Sequence, residues 1–170
     1  MMLPIPHLAP LALGLLGAIA TDLRSRRVPN TISFFVLLSG LVVRGLDQGF
    51  LAALSGVGAA ALVVAALYRP WLMGGIGGGD VKLAGAVAAW VSFGRLPWFA
   101  LTAALAGGVV AAVCYLLARA DGRAAIRTNL TLAVLRQELP DAPSHRAGHL
   151  SVPYALAIAC GGVAAFFWSA

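Results

Sequence analysis

Apolar stretches too long and too poor in charge for a soluble core decide what this chain can become. Residues 83–118 carry a single charge, Arg95, and six stretches (residues 3–21, 31–43, 50–68, 83–94, 97–118 and 150–168) are apolar almost throughout. An apolar helix needs about 20 residues to cross the hydrocarbon core, and fewer when its ends reach the interface. Composition agrees, since 61% of the 170 residues are hydrophobic and 11% charged, whereas a soluble domain is about half apolar and about a quarter charged. The fold class expected is an all-α, polytopic membrane protein, a bundle of six transmembrane helices in one domain over residues 1–170. The stretches 31–43 and 83–94 are short. Gly94, Arg95 and Pro97 supply the turn that separates the fourth and fifth crossings.

The net charge of +6 does not point to a nucleic acid, because Lys and Arg stand at the ends of apolar stretches and are not interleaved with aromatics. They read as topology signals. With the N-terminus outside the cytoplasm, the inner loops hold Arg24, Arg26, Arg27, Arg69, Lys82, Arg119, Arg123, Arg127, Arg136 and Arg146. That is ten of the twelve basic residues, and only Arg44 and Arg95 fall outside. A multi-pass protein of the cytoplasmic (inner) membrane follows. Ala18-Ile19-Ala20 resembles a cleavage site, but a signal peptide carries its positive charge before the apolar run, and here three arginines follow it. The first helix is expected to be retained.

Only six residues are acidic. Asp47 belongs to a short outer loop, and Asp121, Glu138 and Asp141 to a long solvated one. Asp22 directly follows the first apolar stretch, and Asp80 directly precedes the fourth, after a run from Gly74 to Gly79 broken only by Ile76. Two crossings separate them, so both carboxyls lie on one side of the membrane. An acid at membrane depth is costly and marks a functional candidate. Two carboxyls that approach in a partly dry site divide one proton, and together they can activate a water and protonate a leaving amine. Irregular glycine-rich backbone at that depth can offer free amides to an extended peptide. The same residues also read as a flexible connection with Asp80 as the N-cap of a helix.

Gly77-Gly78-Gly79-Asp80 with Val81-Lys82-Leu83 resembles the GxGD motif, in its GxGDxKL form, of the type IV prepilin peptidases. Asp22 with Leu23-Arg24-Ser25-Arg26-Arg27-Val28-Pro29-Asn30 is similar to the other half of that signature, and residues 152–159 resemble the start of the last helix in the compact tight-adherence pilus branch. The resemblance implies an aspartic endopeptidase that removes the leader of prepilins and pseudopilins at the cytoplasmic membrane face. Asp22 and Asp80 match its catalytic aspartates, and Gly77, Gly79 and Lys82 match the rest of the motif. Lys82 is expected to favour the ionised form of Asp80. Pro29 and Asn30 are expected to shape the start of the second helix. The larger members of the family insert paired CxxC motifs and also N-methylate the pilin. No CxxC exists here, so a peptidase without methyltransferase is expected, with no cofactor and no metal. The partners implied are the prepilin, membrane lipid and pilus assembly machinery, with no nucleic acid. On helix dipoles alone, Asp22 at a C-terminal end should hold the shared proton, and Asp80 at an N-terminal end should be ionised.

The loop 119–149 leaves room for an interfacial helix over residues 124–139, with Ile126, Leu130, Ala133 and Val134 at helical spacing. Asp121-Gly122 lacks the arginine and the later aspartates of a phosphoalcohol transferase motif. His7 is read as a lone interfacial residue, His145 and His149 as solvated, and Cys114 and Cys160 as small buried residues. A small transporter and a non-enzymatic membrane subunit of a pilus or secretion assembly are the rival functions. Neither needs paired aspartates, and no internal repeat favours the first.

Overall fold

The computed structural model describes residues 5–25, 27–73, 76–117 and 154–167. These residues build six α-helices: α1 (Ala9–Ser25), α2 (Asn30–Gln48), α3 (Phe50–Leu72), α4 (Gly78–Ala88), α5 (Leu96–Leu117) and α6 (Tyr154–Phe167). Two short 3-10 turns, Ile5–Leu8 and Phe93–Arg95, lead into α1 and α5. No strand occurs among the described residues.

Small residues set the packing. Gly56 meets Ala89 and Gly85 meets Val64, which fixes α3 antiparallel to α4. Val87 lies against Gly162, and Ala103 against Gly161, so α6 is held between α4 and α5. Helix α4 is the centre of the bundle, with Val81 and all of residues 83–88 buried against α2, α3 and α6. Only Gly49 separates α2 from α3. Its φ of 89° and ψ of 172° lie in a region that side chains with a Cβ essentially do not enter, which makes glycine necessary there. The outer faces carry exposed Leu16, Phe34, Leu54, Leu62, Leu105 and Leu116. So large an apolar surface requires a non-aqueous environment.

The all-α expectation holds, but three elements, Asn30–Gln48, Phe50–Leu72 and Phe93–Leu117, are long and apolar enough to cross a membrane by themselves. The described parts of the first, fourth and sixth stretches are shorter, with α1, α4 and α6 at 17, 11 and 14 residues. Helix α2 runs past the expected end at Val43, because Arg44 is not a loop residue. It is 4% exposed and donates to Ala89 O, Val91 O and Ser55 Oγ. Helix α3 likewise continues through Arg69 and Pro70. Helix α4 begins and ends earlier than expected. Its last turn tightens into bonds from Trp90 N–H to Val87 O and from Val91 N–H to Ala88 O.

Two further expectations change. His7 is not alone, since its Nδ1 lies 2.6 Å from Asp47 Oδ2. Cys160 is exposed and Cys114 partly so, because no other described helix covers those faces. The loop 119–149, with its interfacial helix, His145 and His149, lies outside the described residues.

Candidate active site

The buried face of α1 reads Leu11, Leu15, Ala18, Asp22, a helical stripe that ends in an acid. Asp22 is therefore carried inward by the same periodicity that buries the leucines, and it is only 6% exposed. Its Oδ2 accepts the backbone N–H of Ala155 at 3.2 Å. Ala155 is in the first turn of α6, where N–H groups lack a helical partner and the dipole is positive.

Asp80 comes from the opposite direction. It stands in the first turn of α4, three residues after the N-cap, which is Gly77. Its carboxyl reaches back to the Gly77 backbone N–H, as the acid of a capping box does. The reading of Asp80 as a helix-terminus residue is thus partly realised, one turn further in than expected. Two glycines make this possible. A Cβ on Gly77 would fall 2.8 Å from Asp80 Oδ2, and one on Gly79 would fall 3.2 Å from Val28 O. The second contact lets the start of α4 lie against the connection between α1 and α2.

Asp22 and Asp80 are brought together by this packing. Asp80, outside the three long apolar helices, has its carboxyl pushed up to about 6, first by burial and then by the charge of Asp22, with the Gly77 N–H opposing. The charge of Asp80 also reaches Tyr154, at the start of α6. Helix termini from three elements, α1, α4 and α6, thus meet around two carboxyls.

Lys82 does not join them. Its Nζ donates to Asn30 Oδ1 at 2.9 Å, so it ties α4 to α2, and burial with the Asp22 charge moves Asp80 the opposite way from the expected cationic effect. Asn30 is not the cap of α2 either. Pro29 occupies that position, and its carbonyl accepts the N–H groups of Ile32 and Ser33. The helix dipoles do not act on the acids alone: the negative end of α1 is answered by the positive end of α6, whose Ala155 N–H donates to Asp22.

Sequence reasoning assigned no role to Ala155 or Tyr154. The Ala155 contribution is a backbone N–H, which no side-chain pattern reveals. The available signal was the position of residues 154 and 155 at the start of the last apolar stretch, which the six-crossing expectation puts on the same side as both acids.

Set against known families, residues 9–112 match the model of the type IV leader peptidase family. The matched segment contains both aspartates and the glycines before Asp80. Comparison with curated proteins and with solved structures found no match.

Proposed function

Because this chain belongs to the type IV leader peptidase family, we propose that it is a prepilin peptidase in which Asp22 and Asp80 activate the water that cuts the leader from prepilins and pseudopilins. The observation that carries this reading is the convergence of two acids from separate helices, close enough that the charge of one raises the pKa of the other. Asp22, which accepts the Ala155 N–H, acts as the base toward the water. Asp80, its carboxyl pushed up to about 6, is the acid that supplies the proton.

Asp22 takes a proton from water as the water oxygen bonds to the scissile carbonyl carbon, and Asp80 gives its proton to the carbonyl oxygen. As the C–N bond breaks, the proton on Asp22 passes to the leaving nitrogen and a hydroxyl proton of the intermediate returns to Asp80. Gly77 and Gly79 shape the approach to Asp80, Pro29 and Asn30 set the start of α2, and Lys82 holds Asn30. Because the two cysteines form no CxxC, the activity proposed is peptidase alone, in the compact branch without methyltransferase. The distribution of ten of twelve basic residues supports six crossings of the bacterial inner membrane with the site at its cytoplasmic face.

Cleavage of a prepilin by purified protein in detergent tests the reading. Asp22→Asn and Asp80→Asn are each expected to lose on the order of a thousandfold in kcat/KM, within the range for a general acid or base, while remaining folded. Equal processing by wild type and both variants would end it.

A further inference from the structure

A second feature lies across α4 from the two acids. A cleft of about 320 Å³ opens between α2, α3 and α4, with Phe34, Ala60, Val64 and Ala86 among its walls and the Asn30–Lys82 pair at one end. Its lining is apolar except for that end and for Ser33. The Ser33 hydroxyl is buried and has no hydrogen-bond partner, on a residue that is 6% exposed.

This is unlike the other hydroxyls in these helices. Thr21, Ser25, Ser39, Ser55 and Thr102 each donate to a carbonyl three or four residues back, the usual way for a helix to satisfy them. For Ser33 the carbonyl four residues back is Pro29 O, which already accepts Ile32 N–H and Ser33 N–H. The hydroxyl is left buried in the wall of that cleft, where an unmade hydrogen bond is expensive.

From this we infer that the cleft binds the extended segment of the substrate next to the scissile bond, with Ser33 Oγ hydrogen-bonded to a backbone amide of that segment and an apolar substrate side chain filling the space below. This inference rests on the peptidase reading. A lipid acyl chain would fill the walls but leave Ser33 unpaired, and a formed helix has its own amides bonded. A chain about to be cut is extended and has free backbone groups. Lys82 and Asp80 lie two residues apart on opposite flanks of α4, a helix about 10 Å wide with side chains. An extended peptide covers that width in about three residues. The side chain in the cleft is therefore about three residues from the cut bond, on the membrane-embedded side, because the cleft runs from Asn30 toward the middle of the bundle.

The test uses the full-length protein in detergent with a prepilin. Ser33→Ala is expected to raise KM about fivefold with kcat little changed, the worth of one hydrogen bond. Ala60→Leu, which fills the cleft, should raise KM further, with thermal unfolding checked to show an intact fold. A photoreactive residue at Phe34 in the Asp22→Asn background should crosslink to the prepilin, most strongly where the third residue after the cut bond is apolar. Unchanged KM in either variant, or crosslinks to phospholipid without prepilin, would overturn the inference. Failure of the wild type to cut any prepilin would strike the proposed function instead, and the crosslink would still report on docking.

Discussion

Where α4 ends, Arg44 donates to Ala89 O, Val91 O and Ser55 Oγ, and Trp90 Nε1 donates to Val36 O at 2.7 Å. Where α4 begins, two carboxyls lie within reach of each other's charge, and Ser33 has no partner. The same short helix thus joins an end where buried donors, Arg44 Nε apart, find oxygen acceptors to an end where two acids and a buried hydroxyl remain in conflict. The first arrangement fastens the bundle. The second leaves a raised pKa and an unmade hydrogen bond, which are the properties that chemistry and substrate can use. If this division is right, changes at the two ends should separate stability from activity.

The Arg44 end offers the largest stability effect. Its cation sits at the negative end of α4, where the helix dipole favours it, and Arg44→Met removes three hydrogen bonds and takes the guanidinium away from the Ala89 and Val91 carbonyls. A loss of about 3 kcal/mol in unfolding free energy is expected, since each hydrogen bond to a charged group is worth about 1.5–3 kcal/mol and the relieved desolvation of the cation offsets part of the sum. Cleavage per folded molecule should stay near wild type. A variant more stable than wild type in denaturant titration would show that Arg44 is a cost and break the comparison at its firmest point.

Glycines sharpen it next, because each end has one under pressure. A Cβ on Gly56 would stand 2.8 Å from the backbone oxygen of Ala89, which cannot move cheaply, whereas a Cβ on Gly77 would meet the mobile carboxyl of Asp80 at 2.8 Å. Gly56→Ala should therefore lower stability by about 2 kcal/mol through overpacking and leave kcat unchanged. Gly77→Ala should keep the wild-type Tm and lower kcat on the order of a hundredfold, as a small misplacement of a reacting group does. Gly77 has φ −68° and ψ 141°, so alanine brings no backbone strain to confuse the result. Equal Tm losses in the two variants would remove the distinction.

The same contrast explains what could be read in advance. Asp22 and Asp80 were legible because acids are scarce and two apolar stretches lie between them. The GxGD glycines were legible as a motif, though not the separate contacts that Gly77 makes with Asp80 and Gly79 with Val28. Arg44 was not legible, because a charge in an apolar sequence reads as a helix end, and the carbonyls that accept it come from residues 89 and 91. Lys82 has a long side chain whose direction depends on Asn30, and sequence proximity to Asp80 was the wrong guide. The helix-dipole argument for the proton counted only the helices that carry the acids and left out α6, which donates to one of them. Composition and period thus located the two acids. Which polar atoms meet was decided by the packing of helices distant in sequence.

A smaller effect follows from the raised pKa of Asp80. Burial and the Asp22 charge move it from the ordinary 3.8 to about 6, so the folded state binds this proton more tightly than the unfolded chain. The stability contribution is complete below about pH 3.8 and is lost as pH rises through about 6. Asp80→Asn, which stays neutral, should then melt at a higher temperature than wild type at pH 7.5, and the gap should close as pH falls toward 4. Thermal melts of both proteins in one detergent across that range check it. A gap that widened on acidification would mean that Asp80 is stabilised as the anion, and the proton assignment would pass to Asp22.

The smallest effect belongs to the far end of α2. His7 Nδ1 and Asp47 Oδ2 are 2.6 Å apart, with side chains 43% and 21% exposed, so the pair joins the start of the chain to the end of α2 in contact with solvent. Exposed pairs contribute about 0.2–1 kcal/mol, and about 1 M salt, with a screening length of about 3 Å, should remove most of that. His7→Ala is therefore expected to lower stability slightly in low salt and not measurably in high salt. Because this contact lies at the opposite end of α1 from Asp22, kcat/KM for a prepilin should not change. A loss of cleavage without a loss of stability would show that α1 transmits strain along its length to Asp22, and the two ends of the bundle would then have to be treated as one coupled device.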